Sequence, residues 1–370
     1  MLRAVPLVLF ALVTCACTTT PAPTTTVASD SDDEDDGDSA PADTPVVADD
    51  APPAPPRTWA EATERYRSDC PAPPFSLAAP ERVSVSGRAF VRSGSAWAFA
   101  EPLGAPLVIG VVGAIKDAEP ETRENLTVAA AAFRKAGAHV VLVPGDLVAN
   151  EVSVLPAVAA MLDEVFDLPV LVHSGNYEWT SSLSDTLAEH PGLINMNLAR
   201  EIDTGAVRLL SLPGYHDRKF LQPGACHYDD DDLAVAKDAA VRAAKDGDVV
   251  VLTSHGPPRG DGKGALDRTP DNEHVGDPNL NALLTDGGIR FGIFSHILEA
   301  GGRAVTDVDG KTPLKLPMKK GEPRLYMNVG SASSFGWGMN DGTTSRGLGA
   351  IVTVDPAAGG TATVAVIKLR

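Results

Sequence analysis

The sequence predicts a layered α/β fold, and two patterns carry this prediction. Between about residues 107 and 294, apolar runs of strand length alternate with amphipathic stretches of helix length, the rhythm of strands joined by helices. Strand-like segments without intervening helices flank this region, at 81–101 and from 324 to the end. The sequence has no internal repeat. These outer strands are therefore expected to extend the sheet or to form a second sheet packed on it.

Each element of the alternating region follows from a local signal. Apolar runs predict strands at 107–112, 139–143, 169–173, 206–212, 248–253 and 290–294. Apolar faces at helical spacing predict helices at 121–136, 154–166, 231–245 and from 278 to about 284. Gly137 ends the first of these helices, and Asp277 with Pro278 forms the start of the last. The closing strands are predicted at 324–329, 347–354 and 361–369.

The first 17 residues have the pattern of an export signal. Arg3 precedes an apolar run from Ala4 to Val13, which is too short for a stable membrane span but has the length of a signal core. The following "LVTCAC" resembles the lipobox of bacterial lipoproteins, so lipidation is expected at Cys15 or Cys17. A secretory signal without lipid is the alternative. The lipoprotein reading predicts an exported protein anchored to the membrane on the periplasmic or cell-surface side.

Residues 18–57 are expected to be a disordered linker rich in Thr, Pro and Asp. The net charge is −18, and ten acidic residues lie between Asp30 and Asp50, a stretch without Lys or Arg. Such a segment buries no core and extends by mutual repulsion, as a tether from a membrane does. The sequence has no basic cluster, so we expect no nucleic-acid partner.

Two cysteines remain beyond the signal, Cys70 and Cys226. Because exported proteins fold in an oxidising compartment, we expect these two to form a disulfide. Free thiols are the alternative.

Polar side chains follow four of the predicted strands directly: Asp146, Asn176, His255 and His296. Parallel strand ends converge on one edge of a sheet, so the four side chains are expected to meet in one cleft there. Carboxylate, amide and imidazole donors suit a divalent transition metal such as Mn²⁺, Fe²⁺ or Zn²⁺.

These strand-end motifs, in this order, resemble those of the calcineurin-like metallophosphoesterases. The series is "GAIK" (113–116), "GDLVAN" (145–150), "GNYE" (175–178), "SHGPP" (254–258) and "SHILEAGG" (295–302). The resemblance covers 105–335 within a predicted domain of 58–370. It implies a four-layer αββα sandwich with mixed sheets.

The resemblance also implies a two-metal centre of which half is lost. The second metal's ligands correspond to Asp146, Asn176, His255 and His296, and all are present. The first metal's positions are Ala114, Lys116, the shared Asp146 and Leu298, so only one ligand remains. The family's catalytic histidine corresponds to Tyr177.

We therefore expect a tethered, metal-dependent hydrolase that cleaves a phosphate mono- or diester with one retained metal. In this hypothesis Lys116 replaces the charge of the first metal, and Tyr177 donates a hydrogen bond to the leaving oxygen. If Asp117 neutralises Lys116, the pair is merely a surface ion pair on a turn. The main alternative is an inactive pseudo-phosphoesterase that acts as a binding or scaffolding lipoprotein. The partner is thus a small phosphorylated substrate or none, and the sequence predicts no oligomeric state.

Overall fold

A computed structural model describes residues 54–370. The predicted signal segment, with Cys15 and Cys17, and nearly all of the predicted linker lie outside the described residues. The chain is already packed at Pro56, which is buried and whose carbonyl accepts a hydrogen bond from the Ala78 amide at 3.0 Å. Within 54–370, no helix has the length and apolar character needed to cross a bilayer.

The described residues contain helices and strands in an order that matches the predicted alternation. The helices are α1 (Trp59–Tyr66), α2 (Pro120–Ala136), α3 (Leu155–Val165), α4 (Thr180–Ala188), α5 (Asp230–Asp246) and α6 (Pro278–Asp286). The strands are β1 (Ser76–Val85), β2 (Arg88–Gly94), β3 (Ala96–Phe99), β4 (Leu107–Val111), β5 (Val140–Pro144), β6 (Val170–His173), β7 (Leu193–Asn195), β8 (Glu201–Asp203), β9 (Val207–Leu212), β10 (Val249–Ser254), β11 (Phe291–Phe294), β12 (Arg303–Val305), β13 (Leu325–Asn328), β14 (Trp337–Gly338), β15 (Thr344–Ser345), β16 (Leu348–Asp355) and β17 (Thr361–Lys368).

Two large mixed sheets form the centre of the domain. The six-stranded sheet has the order β17-β16-β4-β5-β6-β7, with β4 to β7 parallel and β16 antiparallel to β4. The nine-stranded sheet has the order β1-β2-β3-β8-β9-β10-β11-β13-β12, with β9, β10, β11 and β13 parallel. The outer strands predicted at both ends of the chain thus extend two sheets rather than one.

The buried side chains divide into three clusters that define four layers. One cluster contains residues of both sheets, including Ile109, Leu209 and Met327, and fills the space between them. A second joins α2, α3 and α4 to the six-stranded sheet, and a third joins α5 and α6 to the nine-stranded sheet. This arrangement is an αββα sandwich with mixed sheets, and the predicted fold class is confirmed.

The helix ends follow the expected capping chemistry. At α5, the Asp229 side chain accepts hydrogen bonds from the backbone amides of Asp231 and Asp232. In turn, the Asp229 amide donates to the Asp232 side chain, which completes a capping box. Gly137 ends α2 with a left-handed φ of 71°. The sequence did not predict the short helices α1 and α4, whose apolar faces span only two turns. It also did not predict the three-residue strands β7, β8 and β12.

Strand β4, which precedes the "GAIK" motif (113–116), packs tightly against α2 at Gly110. A Cβ atom at this position would lie 2.4 Å from the Phe133 ring. Gly110 therefore allows α2 to approach β4 closely.

We predict that Gly110→Ala destabilises the domain, because the added methyl group forces the buried Phe133 ring out of its position. The expected loss in the free energy of unfolding is about 1–3 kcal/mol, measured by urea denaturation. Gly104→Ala is the matched control, since no atom lies within 4 Å of a Cβ there and the residue is exposed. Equal stability of the two variants would contradict the packing argument.

Candidate metal centre

The predicted ligands lie together where strands of the two sheets end. Asp146 and Asn176 follow β5 and β6 of the six-stranded sheet, whereas His255 and His296 follow β10 and β11 of the nine-stranded sheet. The expectation that all four meet on the edge of a single sheet is therefore wrong. They meet because the two sheets pack face to face with these strand ends at the same end of the sandwich.

Unusual backbone conformations concentrate at this position. Six non-glycine residues in the described part of the chain have a positive φ, and four belong to the strand-end motifs: Ala114 (45°), Lys116 (70°), Asp146 (61°) and His296 (58°). Such conformations cost about 1 kcal/mol or more each and persist where surrounding contacts impose them. Two of these contacts are hydrogen bonds from the Ala114 amide to the Gly145 carbonyl at 3.1 Å and from the Lys116 amide to the Asp146 carbonyl at 3.3 Å.

Four donor atoms converge between the two sheets. His255 Nε2 lies 3.1 Å from Asp146 Oδ1, 3.0 Å from Asn176 Oδ1 and 3.1 Å from His296 Nδ1. Candidate ligand atoms of Asp146, His255 and His296 all lie within 4.8 Å of one another. His296 is half-buried, while the other three side chains are almost completely buried.

The hydrogen bonds around His255 and Asn176 orient a lone pair of each side chain towards the centre. His255 Nδ1 lies 2.8 Å from the Pro144 carbonyl oxygen, which only accepts, so Nδ1 carries the hydrogen and Nε2 of the neutral ring is unprotonated. The Asn176 Nδ2 amide donates to the Phe220 carbonyl at 2.7 Å, which turns Oδ1 towards His255. A proton on His255 Nε2 would form a hydrogen bond to only one of the facing oxygens, whereas a metal ion would bind all the donor atoms. The donor set therefore fits a divalent cation.

Burial and neighbouring charge set the protonation of this cluster. Burial alone would raise the pKa of Asp146, but the neighbouring His255 and Lys116 hold that pKa well below its usual range. Burial and the neighbouring His255 lower the pKa of His296 well below its ordinary value. An ionised carboxylate and a neutral imidazole are the forms that bind metal ions.

Lys116 forms a buried ion pair with the Asp146 carboxylate. Its ammonium contacts Asp146 Oδ2 and lies 4.1 Å from the centre of the Tyr177 ring, and only 8% of the residue is exposed. Asp117 instead accepts hydrogen bonds from Ser333 Oγ at 2.8 Å and from the Glu119 amide at 3.0 Å. The alternative in which Asp117 pairs with Lys116 on the surface is therefore wrong.

Ala114 and Leu298, which the sequence predicts at the positions of lost ligands, are buried and apolar. Ala114 is fully buried, and its carbonyl accepts a hydrogen bond from Ser331 Oγ at 2.7 Å. Leu298 is 6% exposed and lies in a short 3-10 helix after His296. Neither side chain offers an atom that binds metal.

Glu178 is a site residue whose role sequence reasoning missed. Its buried carboxylate accepts hydrogen bonds from the amides of Gly175 at 2.6 Å, Val148 at 3.3 Å and Asp146 at 3.4 Å. Burial and the nearby Asp146 charge raise its pKa. Glu178 thus joins the loops that carry Asp146 and Asn176. In the sequence, the acidic residue at the end of the "GNYE" motif is the signal that indicates a role for Glu178.

A loop after β9 covers the site from the side of the nine-stranded sheet. The Tyr215 ring centre lies 4.1 Å from that of His296, and the Tyr215 hydroxyl donates to the Val275 carbonyl at 2.6 Å. In the same loop, the Phe220 carbonyl orients Asn176 as described above. The sequence does not predict the roles of Tyr215 and Phe220, because both depend on contacts distant in sequence.

Cys70 and Cys226 form a disulfide in this structure. Cys226 is buried, and its carbonyl accepts a hydrogen bond from the Tyr215 amide at 3.1 Å. The bond thus connects the segment before β1 to the loop that covers the candidate site.

Comparison with known proteins points to one family. The model of the calcineurin-like phosphoesterase family matches residues 118–300, starting just beyond the segment that contains Ala114 and Lys116. No curated protein matches the chain.

Solved structures resemble the domain at low sequence identity. A dimetal phosphatase from Danio rerio is 11% identical with a TM-score of 0.45, covering 73% of this chain and 100% of its own. GAP50, described as the anchor in the inner membrane complex of Plasmodium, is 14% identical with a TM-score of 0.43, covering 69% and 86%. The NAD nucleotidase of Haemophilus influenzae is 12% identical with a TM-score of 0.40, covering 70% and 49%.

Proposed function

Because residues 118–300 match the model of the calcineurin-like phosphoesterase family, we propose that the protein hydrolyses a phosphate mono- or diester with a single divalent metal ion. One observation carries this proposal. The Lys116 ammonium contacts one oxygen of Asp146, while the other oxygen lies 3.1 Å from His255 Nε2, which itself lies 3.0 Å from Asn176 Oδ1. A protein cation therefore occupies one side of the shared carboxylate, and a metal-binding donor set occupies the other.

The proposed metal ligands are Asp146, Asn176, His255 and His296. Two imidazole nitrogens with carboxylate and amide oxygens suit Zn²⁺, Mn²⁺ or Fe²⁺. A metal ion held there supplies positive charge that polarises a phosphoryl oxygen and acidifies a water molecule. The hydrogen bond of His255 Nδ1 to the Pro144 carbonyl fixes the ring orientation and the tautomer that such binding requires.

Lys116 has the charge, but not the coordination chemistry, of a second metal. An ammonium group has no open position for water, so it does not generate a nucleophile. It is a compact positive charge at Asp146, suited to hold a phosphate oxygen. The Tyr177 ring covers this ammonium, which keeps the ion pair out of bulk water and strengthens its field. In this proposal, the Tyr177 hydroxyl donates a hydrogen bond to the leaving oxygen.

Binding without hydrolysis is the second candidate function. The same Lys116 contacts support it, because the ammonium is already paired with Asp146 and covered by Tyr177. The buried Ala114 and Leu298 side chains leave no second metal site, and Tyr177 is a poorer proton donor than the histidine that the family has there. In this alternative the domain is a metal-containing scaffold.

We further propose that the protein acts outside the cytoplasm as a tethered lipoprotein. The predicted signal at 1–17, lipidation at Cys15 or Cys17 and the acidic linker at 18–57 support this proposal. The substrate would then be a small phosphorylated molecule, and the acidic chain offers no nucleic-acid surface.

We predict that the purified protein binds about one equivalent of transition metal, because only one complete donor set remains. His255→Ala and Asp146→Ala should lose this metal, measured by elemental analysis after dialysis. His190→Ala is the matched control and should retain it, since His190 lies beside Asp163 away from the site. Two equivalents in the wild type, or retention in both site variants, would contradict the single site.

We predict slow Mn²⁺-dependent hydrolysis of bis-p-nitrophenyl phosphate. Lys116→Met should lower the rate about 10²-fold if its ammonium stabilises charge that develops on phosphate. Lys135→Met, on the exposed end of α2, is the control and should have wild-type activity. An inactive wild type that still binds one metal would favour the scaffold. An unchanged rate in Lys116→Met would show that Lys116 does not replace the first metal.

A further inference from the structure

A buried hydrogen bond between His173 and Thr253 joins the two sheets close to the strand ends that carry the candidate metal centre. His173 is the last residue of β6, and Thr253 is the last but one of β10. His173 Nε2 lies 3.0 Å from Thr253 Oγ1. His173 is fully buried, and Thr253 is 2% exposed. The proposed hydrolysis uses neither side chain.

Both side chains of this His173–Thr253 pair lie in the layer between the sheets. Residues two apart on a strand share a face, and Leu171 and Val251, each two residues earlier, belong to the cluster between the sheets. The apolar contacts of this cluster have no preferred direction, whereas a hydrogen bond does. The pair therefore fixes the relative position of β6 and β10 more narrowly than apolar packing does.

The His173 ring is held in one tautomer and connects a third segment. Its Nδ1 lies 3.0 Å from the Ser174 carbonyl oxygen, which only accepts, so Nδ1 carries the hydrogen. Burial lowers the pKa of His173 to about 3, so the ring is neutral and Nε2 accepts from the Thr253 hydroxyl. The Ser174 carbonyl also accepts a hydrogen bond from the Gly214 amide at 3.0 Å. One imidazole thus links the ends of β6 and β10 to the loop after β9 that covers the site.

Two of the proposed metal ligands follow this pair closely in sequence. Asn176 comes three residues after His173, and their loop continues directly from β6. His255 comes two residues after Thr253. The converging atoms, Asn176 Oδ1 and His255 Nε2, lie 3.0 Å apart although they belong to different sheets.

We propose that the His173–Thr253 pair positions Asn176 and His255 at the spacing that a single metal ion requires. Neither member of the pair contacts the metal or the substrate, so both are positioning residues. Metal sites depend on ligands that surrounding hydrogen bonds hold to within about 0.5 Å. The inference rests on the proposed metal site, and it adds the contact that aligns the ligands of one sheet with those of the other.

The first test is Mn²⁺ titration of the protein, with free Mn²⁺ measured by electron paramagnetic resonance. Thr253→Val removes the hydroxyl and keeps the shape, and it should weaken Mn²⁺ binding about tenfold. Thr253→Ser restores the hydroxyl and should restore the affinity. Thr204→Val is the matched control with wild-type affinity expected, because Thr204 is also 2% exposed and its hydroxyl donates to the Val207 carbonyl at 2.8 Å, in the turn between β8 and β9.

A double variant separates positioning from stability. Replacing both partners of a buried hydrogen bond by apolar groups can be nearly neutral for folding. We therefore expect His173→Leu combined with Thr253→Val to unfold in urea near the wild-type midpoint when metal-free, yet to bind Mn²⁺ as weakly as Thr253→Val. This variant decides the outcome if Thr253→Val alone does not fold. Wild-type Mn²⁺ affinity in the double variant would show that the pair is merely structural.

Amide hydrogen exchange of the metal-free protein tests the pair without relying on the metal site. Thr253→Val should exchange faster than Thr204→Val in residues 173–178, because this loop loses its bond to the other sheet. Faster exchange in a protein whose wild type binds no Mn²⁺ would overturn the metal site and leave the positioning of the two strand ends supported. Unchanged exchange in 173–178, or wild-type Mn²⁺ affinity in Thr253→Val, would each overturn the proposal.

Discussion

The Lys116 ammonium and the Asp146 carboxylate meet where the two sheets abut, and both are almost completely removed from water. One oxygen of Asp146 faces the ammonium and the other faces His255. A buried carboxylate needs compensation, and here the Lys116 ammonium contacts Oδ2 while the Asn176 backbone amide donates a hydrogen bond to Oδ1 at 3.3 Å. The Glu178 carboxylate also accepts a hydrogen bond from the Asp146 amide, so it couples the position of Asp146 to the loops that follow β5 and β6.

The backbone around Lys116 is held by main-chain hydrogen bonds. Ala114 and Lys116 bind no metal in our account, yet both retain a left-handed φ. Their amides are held by the carbonyls of Gly145 and Asp146, so the loop conformation depends on main-chain bonds rather than on coordination. In Lys116 this conformation directs a long side chain at the carboxylate. The Lys116 side chain thereby places a positive charge beside Asp146. Unlike a metal ion, this charge has no coordination position for water.

The sequence revealed the four-donor cluster because each donor directly follows a strongly apolar strand. It did not reveal that His255 and Asn176 come from different sheets, since strand order is set by non-local pairing. The pairing of Lys116 with Asp146 joins residues 30 positions apart, and the sequence left the adjacent Asp117 open as an alternative partner. Local periodicity predicts elements, whereas tertiary contacts decide which polar groups meet.

The central claim is that Lys116 takes the place of one cation and leaves room for one metal beside Asp146. Crystals grown with excess Mn²⁺, with diffraction recorded at the manganese edge, test this claim directly. The account predicts one anomalous peak bound by Asp146, Asn176, His255 and His296, with the Lys116 ammonium still in contact with Asp146. Two manganese peaks bridged by Asp146, with Lys116 displaced, would contradict it.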